Sequence, residues 1–379
     1  MKANTITYLA LGSNQGDKLN HLQKAVDLIF ESIGTIESVS RIYKTPSWGF
    51  DGADFLNACI EVRTRFSAEE TLRKLLQIEE SLGRVRGKNG YQDRNIDLDI
   101  IFFGNELLNS DKLIVPHPKM SQRKFVLFPM ADIAPTLIHP LKNATVSELL
   151  EQTEDRSEIE KIPEKLNIPK FDFSHLHYIA IEGNIGAGKT SLAEMIAEDL
   201  PAGKAGFNAK LILEGFKDNP FLPKFYENPQ RYAFPLEMSF LAERYQQLID
   251  EIGQYNLLSD FVVADYEISK SLIFAEITLQ EEEFRLYKKL FQLMHKNLTQ
   301  PDLYVYLYQN TERLLENIKI RGRGYEQNIQ SDYLEKINRG YLDFIKNQKG
   351  QHTKVLDISE LDFVNNREDY LQVLQEIVE

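Results

Sequence analysis

The chain has one cysteine, Cys59, in 379 residues. An intrachain disulfide framework and a cysteine-built zinc site are therefore excluded. No apolar run is long enough to read as a membrane span. An excess of positive charge is also missing. The formal net charge is −13, which argues against general adhesion to nucleic acid or to an anionic membrane surface. There is no low-complexity tract and no internal repeat. The first residues, Met1-Lys2-Ala3-Asn4-Thr5, run straight into a strand-like stretch without a signal-peptide pattern. These absences predict a cytoplasmic globular protein with neither nucleic-acid nor membrane partners. What is present is ordinary for a folded protein, with 42% hydrophobic and 27% charged residues. The length suits two domains. Any binding of polyphosphate must rest on local clusters of cations.

The first of these domains is expected over residues 1–155. Stretches 6–11, 39–45, 56–64 and 96–103 read as strands. Residues 18–33 and 68–82 read as amphipathic helices. Alternating strands and helices predict an α/β or α+β unit. Residues 156–175 are charged and carry Pro163 and Pro169, which predicts a linker. The second domain, 176–379, is dominated by helical patterns at 235–252, 281–298, 311–321 and 331–347, with a strand at 303–308 between them.

That second domain opens on Gly183-Asn184-Ile185-Gly186-Ala187-Gly188-Lys189-Thr190, a G-x-x-x-x-G-K-T phosphate-binding loop. An apolar strand precedes it and a helical pattern follows, which is the context the motif needs. The glycines let backbone N–H groups curl toward an anion, and the helix N-terminus adds partial positive charge. Lys189 is expected on the β/γ-phosphates and Thr190 on Mg²⁺. ATP is thus the expected co-substrate.

Three further features narrow the reaction. Leu211-Ile212-Leu213-Glu214 is an apolar stretch ending in a carboxylate. In a parallel sheet that end faces the ligand crevice, so Glu214 is a candidate general base for an acceptor hydroxyl. Phe261-Val262-Val263-Ala264-Asp265 ends likewise in an acid, the form of a carboxylate that positions Mg²⁺. Arg321-Gly322-Arg323-Gly324 closes a helical run and suits a lid whose guanidinium groups neutralise a transferring phosphoryl. A neutral nucleoside 5′-hydroxyl needs a base, whereas an anionic monophosphate would be repelled by one. Glu214 therefore favours a nucleoside kinase.

With these residues in hand, the segment 177–379 resembles deoxynucleoside kinases of the deoxyguanosine/deoxycytidine kinase type. The carriers are Ile181 to Thr190, Asn219-Pro220-Phe221-Leu222 with Phe225-Tyr226, and Arg321-Gly322-Arg323 followed by Glu326-Gln327. The resemblance implies Glu214 as base, Arg321 and Arg323 as lid arginines, and Tyr226 and Glu326 on the deoxyribose 3′-hydroxyl. It implies Glu237 and Arg244 at the base-recognition helix, and a homodimer through this domain. Two departures stand out. Asp265-Tyr266-Glu267 replaces an acid-Arg-Ser triplet, with Lys270 as a possible substitute cation. Glu237 replaces a Gln. An ionised Glu only accepts hydrogen bonds, which suits the two N–H donors of guanine, while a protonated Glu could serve adenine. A purine is the expected base.

The first domain has no phosphate-binding loop, but it carries Arg94-Asn95-Ile96-Asp97-Leu98-Asp99-Ile100. Residues two apart on a strand share a face. Asp97 and Asp99 therefore project together, and a pair of carboxylates with phosphate oxygens and waters is a Mg²⁺ environment. Arg84, Arg86, Lys88 and Arg94 supply a cationic cluster nearby in sequence, with His117 and Arg123 following. Seven ordered segments resemble 6-hydroxymethyl-7,8-dihydropterin pyrophosphokinase. They are Leu11-Gly12-Ser13-Asn14, Tyr43-Lys44-Thr45-Pro46, Phe55-Leu56-Asn57-Ala58, Gly83-Arg84-Val85-Arg86, Asp97-Leu98-Asp99-Ile100, Val115-Pro116-His117-Pro118, and Arg123 with Phe125.

This second resemblance implies a ferredoxin-like α/β fold and transfer of pyrophosphate from ATP to the pterin hydroxymethyl group. It implies that Asp97 and Asp99 bind two Mg²⁺ ions. Thr45, Pro46 and Asn57 would read the pterin edge, and Phe55 and Phe125 would sandwich the ring. Arg84, Arg94, His117 and Arg123 would hold the ATP phosphates, with Glu79 on the adenine side. A loop at 87–93, with Tyr91 where the best-known members carry Trp, is expected to close over the site.

The combined expectation is a ferredoxin-like α/β N-terminal domain joined to a P-loop parallel-sheet kinase domain. The partners are ATP, 6-hydroxymethyl-7,8-dihydropterin and a deoxynucleoside. Two rivals remain at this level: a C-terminal nucleoside-sensing or dimerising module, and a C-terminal nucleoside monophosphate kinase.

Overall fold

The structure is a computed structural model that describes residues 4–48, 50, 52–84, 93–200, 209–215, 219–253, 260–348 and 350–379. Arg86, Lys88 and Tyr91, and residues 201–206, lie outside the described residues. The chain divides into two compact units, Met1–Lys170 and Phe171–Glu379. No helix among the described residues is long and apolar enough to cross a membrane.

The first unit is built on an antiparallel sheet. Its strands are β1 (Thr5–Ser13), β2 (Gly34–Val39), β3 (Tyr43–Thr45), β4 (Phe55–Thr64) and β5 (Asp97–Phe103). Strands β3, β4, β1 and β5 lie side by side in that order, and β2 also pairs with β4. Helices Lys18–Ser32 and Ala68–Ser81 connect β1 to β2 and β4 to β5. This order is the ferredoxin-like β-α-β-β-α-β arrangement with one extra short strand, β3, inserted before β4. Leu22, Ala25, Val26 and Ile29 form the buried stripe of the first helix. They pack with Leu9, Leu11, Ile60, Val62, Leu98 and Ile100 of the sheet.

The strand expected at 39–45 is two strands. Val39 faces Ile60 on β4, but Tyr43 faces Asn57. Four residues on one side thus match three on the other. Ser40 still faces Cys59, its N–H and hydroxyl both bonding Cys59 backbone groups at 2.9 Å, so the surplus falls at Arg41 and Ile42.

The expected linker at 156–175 is also not free. After β5 come two short pairs, β6 (Leu108–Asn109) with β7 (Ile114–Val115) and β8 (Ile138–His139) with β9 (Ala144–Thr145), and then Glu160–Lys161 forms β10 and pairs with β3. Leu166 is buried in the first unit, with Ile162 and Ile168 packed beside it. Phe173 is buried in the second unit. A few apolar residues set among charges secure the segment at both ends, which the charge-dominated reading overlooked.

The second unit carries a parallel sheet of β11 (Tyr178–Gly183), β12 (Ala209–Ile212), β13 (Phe261–Ala264), β14 (Leu303–Tyr308) and β15 (Thr353–Asp357). The lateral order is β12-β13-β11-β14-β15. Strand β11 is buried throughout, as expected for a central parallel strand covered on both faces. The loop after β11 therefore emerges at the middle of the sheet, between the ends of β13 and β14. Helix 281–298 of the sequence reading ends earlier, at His295. Helix 235–252 begins earlier, at Pro229. The strand expected to end in Glu214 stops at Ile212, so Glu214 sits two residues beyond it.

Candidate active sites

In the first unit the three strands β4, β1 and β5 bring Asn57, Gly12 and Asp97 into one row. A Cβ at Gly12 would stand 3.1 Å from Asn57 Oδ1 and 3.9 Å from Asp97 Cβ. Glycine there keeps the floor open between those side chains. The resulting cavity, about 270 Å³, is lined by Thr45, Pro46, Phe55, Asn57, Arg84, Arg94, Asp97, Asp99, His117, Arg123 and Phe125. Eleven site residues expected from the sequence thus share one cavity.

Its electrostatics are those of an anion site beside paired acids. Arg84 Nη1 lies 2.7 Å from Asp97 Oδ1, and Arg94 Nη1 lies 3.0 Å from Asp97 Oδ2. Burial, and then the adjacent Asp97, push the Asp99 carboxyl up to about 7, with Arg123 pulling the other way. Two neighbouring carboxylates that resist ionising together would be relieved by a dication, so the donor set fits Mg²⁺. Burial, and then Arg123, bring His117 down to about 4. It is a neutral hydrogen-bonding group at neutral pH. Asn57 is oriented by donating its amide to Thr45 Oγ1 at 2.8 Å.

Glu79 needs correction. It does not line the cavity. One of its oxygens accepts the Leu98 N–H at 2.9 Å and is also bonded by Arg84. The residue follows Leu75 by four on the buried face of its helix, a spacing that could have revealed this from sequence. Its effect on the site passes through Arg84. The sequence reading also missed Trp48 and Phe50, which line the same cavity. Arg123 stacks over Trp48 at 4.8 Å and over Phe125 at 5.4 Å.

In the second unit Gly186 and Gly188 adopt φ of +87° and +84°, a region other residues enter at a cost. A Cβ at Gly188 would also meet the Phe363 ring at 2.7 Å. Lys189 bonds the Gly183 and Asn184 carbonyls, each at 2.9 Å. Burial, and then the Lys270 ammonium, bring Lys189 down to about 8. Thr190 gives its hydroxyl to Asp265 Oδ2 at 2.5 Å, and the Glu214 N–H bonds the other Asp265 oxygen at 2.7 Å.

Lys189, Thr190, Glu214, Tyr226, Glu237, Arg244, Asp265, Arg321, Arg323 and Glu326 line a single cavity of about 120 Å³. Gly183 is the last residue of β11. Glu214 is gripped from two sides. Lys270 Nζ is 2.6 Å from Oε2, while Arg244 Nε and Nη2 are 2.8 and 2.5 Å from Oε1. Burial would raise this carboxyl, but Lys270 and then Arg244 hold it well below the usual carboxylate range. Tyr266 is fully buried and bonds Gln247 at 3.0 Å, so it cannot supply the cation missing from its triplet.

Glu237, 3% exposed, accepts the Thr278 hydroxyl at 3.1 Å. Burial pushes its carboxyl up to about 7. Both lid arginines rest on Glu326: Arg321 Nη2 bonds one oxygen, and Arg323 Nη1 lies 3.3 Å from the other.

Comparisons with known proteins follow the same division. The family model described as deoxynucleoside kinase matches residues 179–379. The one described as 7,8-dihydro-6-hydroxymethylpterin-pyrophosphokinase matches residues 8–135. Over 206 residues the chain is 38% identical to deoxyguanosine kinase of Bacillus subtilis (strain 168), covering 53% of this chain and 96% of that one. Over 132 residues it is 44% identical to 2-amino-4-hydroxy-6-hydroxymethyldihydropteridine pyrophosphokinase of the same strain, covering 34% of this chain and 78% of that one. A solved structure of deoxyadenosine kinase from M. mycoides is 26% identical with a TM-score of 0.44, covering 53% of this chain and 100% of that one.

Proposed function

The chain belongs to the deoxynucleoside kinase family over residues 179–379 and to the 7,8-dihydro-6-hydroxymethylpterin-pyrophosphokinase family over residues 8–135, and from that premise we propose a bifunctional ATP-dependent transferase. The first unit transfers the β,γ-pyrophosphoryl group of ATP to the hydroxymethyl oxygen of 6-hydroxymethyl-7,8-dihydropterin and releases AMP, a step of folate biosynthesis. The second transfers the γ-phosphoryl group of ATP to the 5′-hydroxyl of a deoxynucleoside, with a purine favoured, a salvage reaction. The observation that carries the kinase reading is the convergence of Lys189, Thr190, Asp265 and Glu214 on one cavity that also holds Glu237.

In the pterin site, Phe125 and Phe55 hold the ring, since flat heterocycles stack on aromatic faces. Asn57, Thr45 and the Pro46 backbone read its edge. Arg84, Arg94, Arg123 and neutral His117 hold the triphosphate. Asp97 and Asp99 would hold Mg²⁺, which would supply positive charge to offset that building on the transferred group. In the nucleoside site, Gly183, Gly186 and Gly188 shape the loop around the phosphates, and Lys189 leaves its carbonyl partners for them. Thr190 and Asp265 would hold the second site's Mg²⁺. Glu214 takes the hydroxyl proton, Tyr226 and Glu326 hold the sugar, and Arg321 and Arg323 move from Glu326 toward the transferring phosphoryl. Glu237 accepts from the base edge, which suits guanine.

The working form is a homodimer through the second unit. Leu286 and Leu293 stand seven residues apart on the helix Glu281–His295, and Ile249 lies on the helix Pro229–Gly253 packed against it. All three are exposed apolar side chains.

The test is a radiolabelled-ATP screen of the full chain against the four deoxynucleosides, with AMP release in the presence of pterin measured in parallel. Lys189→Ala should abolish nucleoside phosphorylation and spare AMP release. Asp97→Ala should do the reverse. A wild-type chain that phosphorylates no nucleoside would sink the kinase half.

A further inference from the structure

Lys270 is the second residue of the helix Ser269–Thr278 and is 6% exposed, yet it lines the nucleoside cavity. An ammonium has three N–H donors. Among the described residues only Glu214 Oε2 accepts from it, at 2.6 Å. A nearly buried cation with unspent donors is costly unless a ligand uses them. The opposing carboxylate shows the complementary vacancy. It has about four lone-pair positions. Arg244 fills both on Oε1, and Lys270 takes one on Oε2. The open position is therefore on Oε2, next to the ammonium.

We propose that Oε2 of Glu214 is the atom that receives the acceptor hydroxyl proton, and that Lys270 is a catalytic residue that both aims this oxygen and donates to the phosphoryl group in transit. The inference rests on the kinase reading above. As the bond from O5′ to the γ-phosphorus forms, the bond from that phosphorus to the bridging oxygen of ADP breaks, and its electron pair leaves with ADP. The O5′ proton passes to Oε2. Glu214 thereby loses its negative charge just as the new monophosphate becomes the nearest anion. The Lys270 charge is released from one partner as the other appears. Arg244 cannot take this part, because its contacts lie on Oε1 and on the Ser271 hydroxyl, 2.6 Å away.

The experiment uses the full chain with Lys270→Met and Lys270→Arg, deoxyguanosine and MgATP, and pterin-dependent AMP release as an internal control. Lys270→Met should lower kcat by about a hundred- to a thousandfold, the effect of deleting one transition-state donor. KM for both substrates should stay within about threefold, because ground-state binding rests elsewhere. Lys270→Arg should recover at least about a tenth of the lost rate. Deoxyguanosine titration by calorimetry reports whether the Lys270→Met pocket is intact. An intact pocket with kcat within about threefold of wild type would overturn the inference alone. So would a lost pocket that Lys270→Arg, though folded and nucleoside-binding, fails to rescue in rate. A wild type inactive on every deoxynucleoside overturns the kinase reading and this inference with it.

Discussion

Thr190 donates its hydroxyl to Asp265 Oδ2 at 2.5 Å, so the phosphate-binding loop and the end of β13 are joined directly. The other Asp265 oxygen holds the Glu214 backbone N–H at 2.7 Å. One aspartate thus fixes both the proposed metal ligand and the proposed base.

Asp265→Asn should therefore act on two observables. The nucleoside kinase kcat should fall by about a hundredfold or more, since metal-based charge stabilisation supplies several kcal/mol. The Mg²⁺ concentration for half-maximal rate should rise. Pterin-dependent AMP release should not change. A Mg²⁺ titration of both reactions on the same preparation checks all three.

Glu237 gives a pH dependence with a defined sign. Its folded value is about 7 against an ordinary 4.5. Between those two pH values the folded state keeps a proton that the unfolded chain has shed. Stability must fall as pH rises through that window, and the cost is complete above about 7. At about 1.4 kcal/mol per pH unit, the total is a few kcal/mol. Glu237→Gln removes the titration. The variant's second unit should melt above wild type at pH 8, with the gap closing toward pH 4.5. Calorimetric scans across that range would show it. Equal melting temperatures at pH 8 would contradict it.

Trp48 is the chain's single tryptophan, and it lies over Arg123 in the pterin cavity. Its fluorescence should respond to 6-hydroxymethyl-7,8-dihydropterin and not to deoxyguanosine. Phe125→Ala should weaken pterin binding by about two- to tenfold, the worth of one aromatic stacking contact. Titrations followed at the tryptophan emission, with each ligand in turn, measure both effects.

The proposed dimer face can be tested by charge. Leu286→Glu with Leu293→Glu places two carboxylates at positions 52% and 65% exposed in the single chain. Exposed positions tolerate such changes within about 0.5 kcal/mol, so folding should survive while a C₂ contact, which repeats each charge, should not. Sedimentation velocity should show a shift from dimer to monomer.

Some of this chemistry was legible in the sequence because it imposes local rules. The phosphate-binding loop needs positive φ at Gly186 and Gly188, so it leaves glycines at fixed offsets. Asp97 and Asp99 needed only the two-residue strand repeat. Lys270 could be named from sequence only as a substitute cation, with no local rule to assign its partner. It meets Glu214 across 56 residues, from a helix start whose sequence looks like any other. Its role comes from the parallel sheet bringing the ends of β12 and β13 together. Leu166 in the expected linker was hidden differently, because one buried leucine among charges makes no periodic pattern. Glu79 was assigned to the adenine side by resemblance alone. It faces inward with Leu75 and supports Arg84 instead.

Glu326 ties the lid to the sugar. Its two oxygens carry Arg321 and Arg323, and its side chain is only 6% exposed. A carboxylate has about four lone-pair positions, so it can also accept a 3′-hydroxyl. Binding a deoxynucleoside then draws on the same oxygens that hold the lid arginines, and lid release becomes sensitive to that hydroxyl. Wild type should prefer deoxyguanosine over 2′,3′-dideoxyguanosine by about tenfold or more in kcat/KM, because an unmet buried acceptor costs about 1–3 kcal/mol. Glu326→Ala should lose most of that preference, and its lid arginines, no longer restrained, should bind ATP without waiting for nucleoside. Steady-state kinetics with the two nucleosides, together with ATP affinity measured with and without deoxyguanosine, separates this coupling from simple loss of a sugar contact. A variant that keeps the full preference would show that the 3′-hydroxyl is read elsewhere.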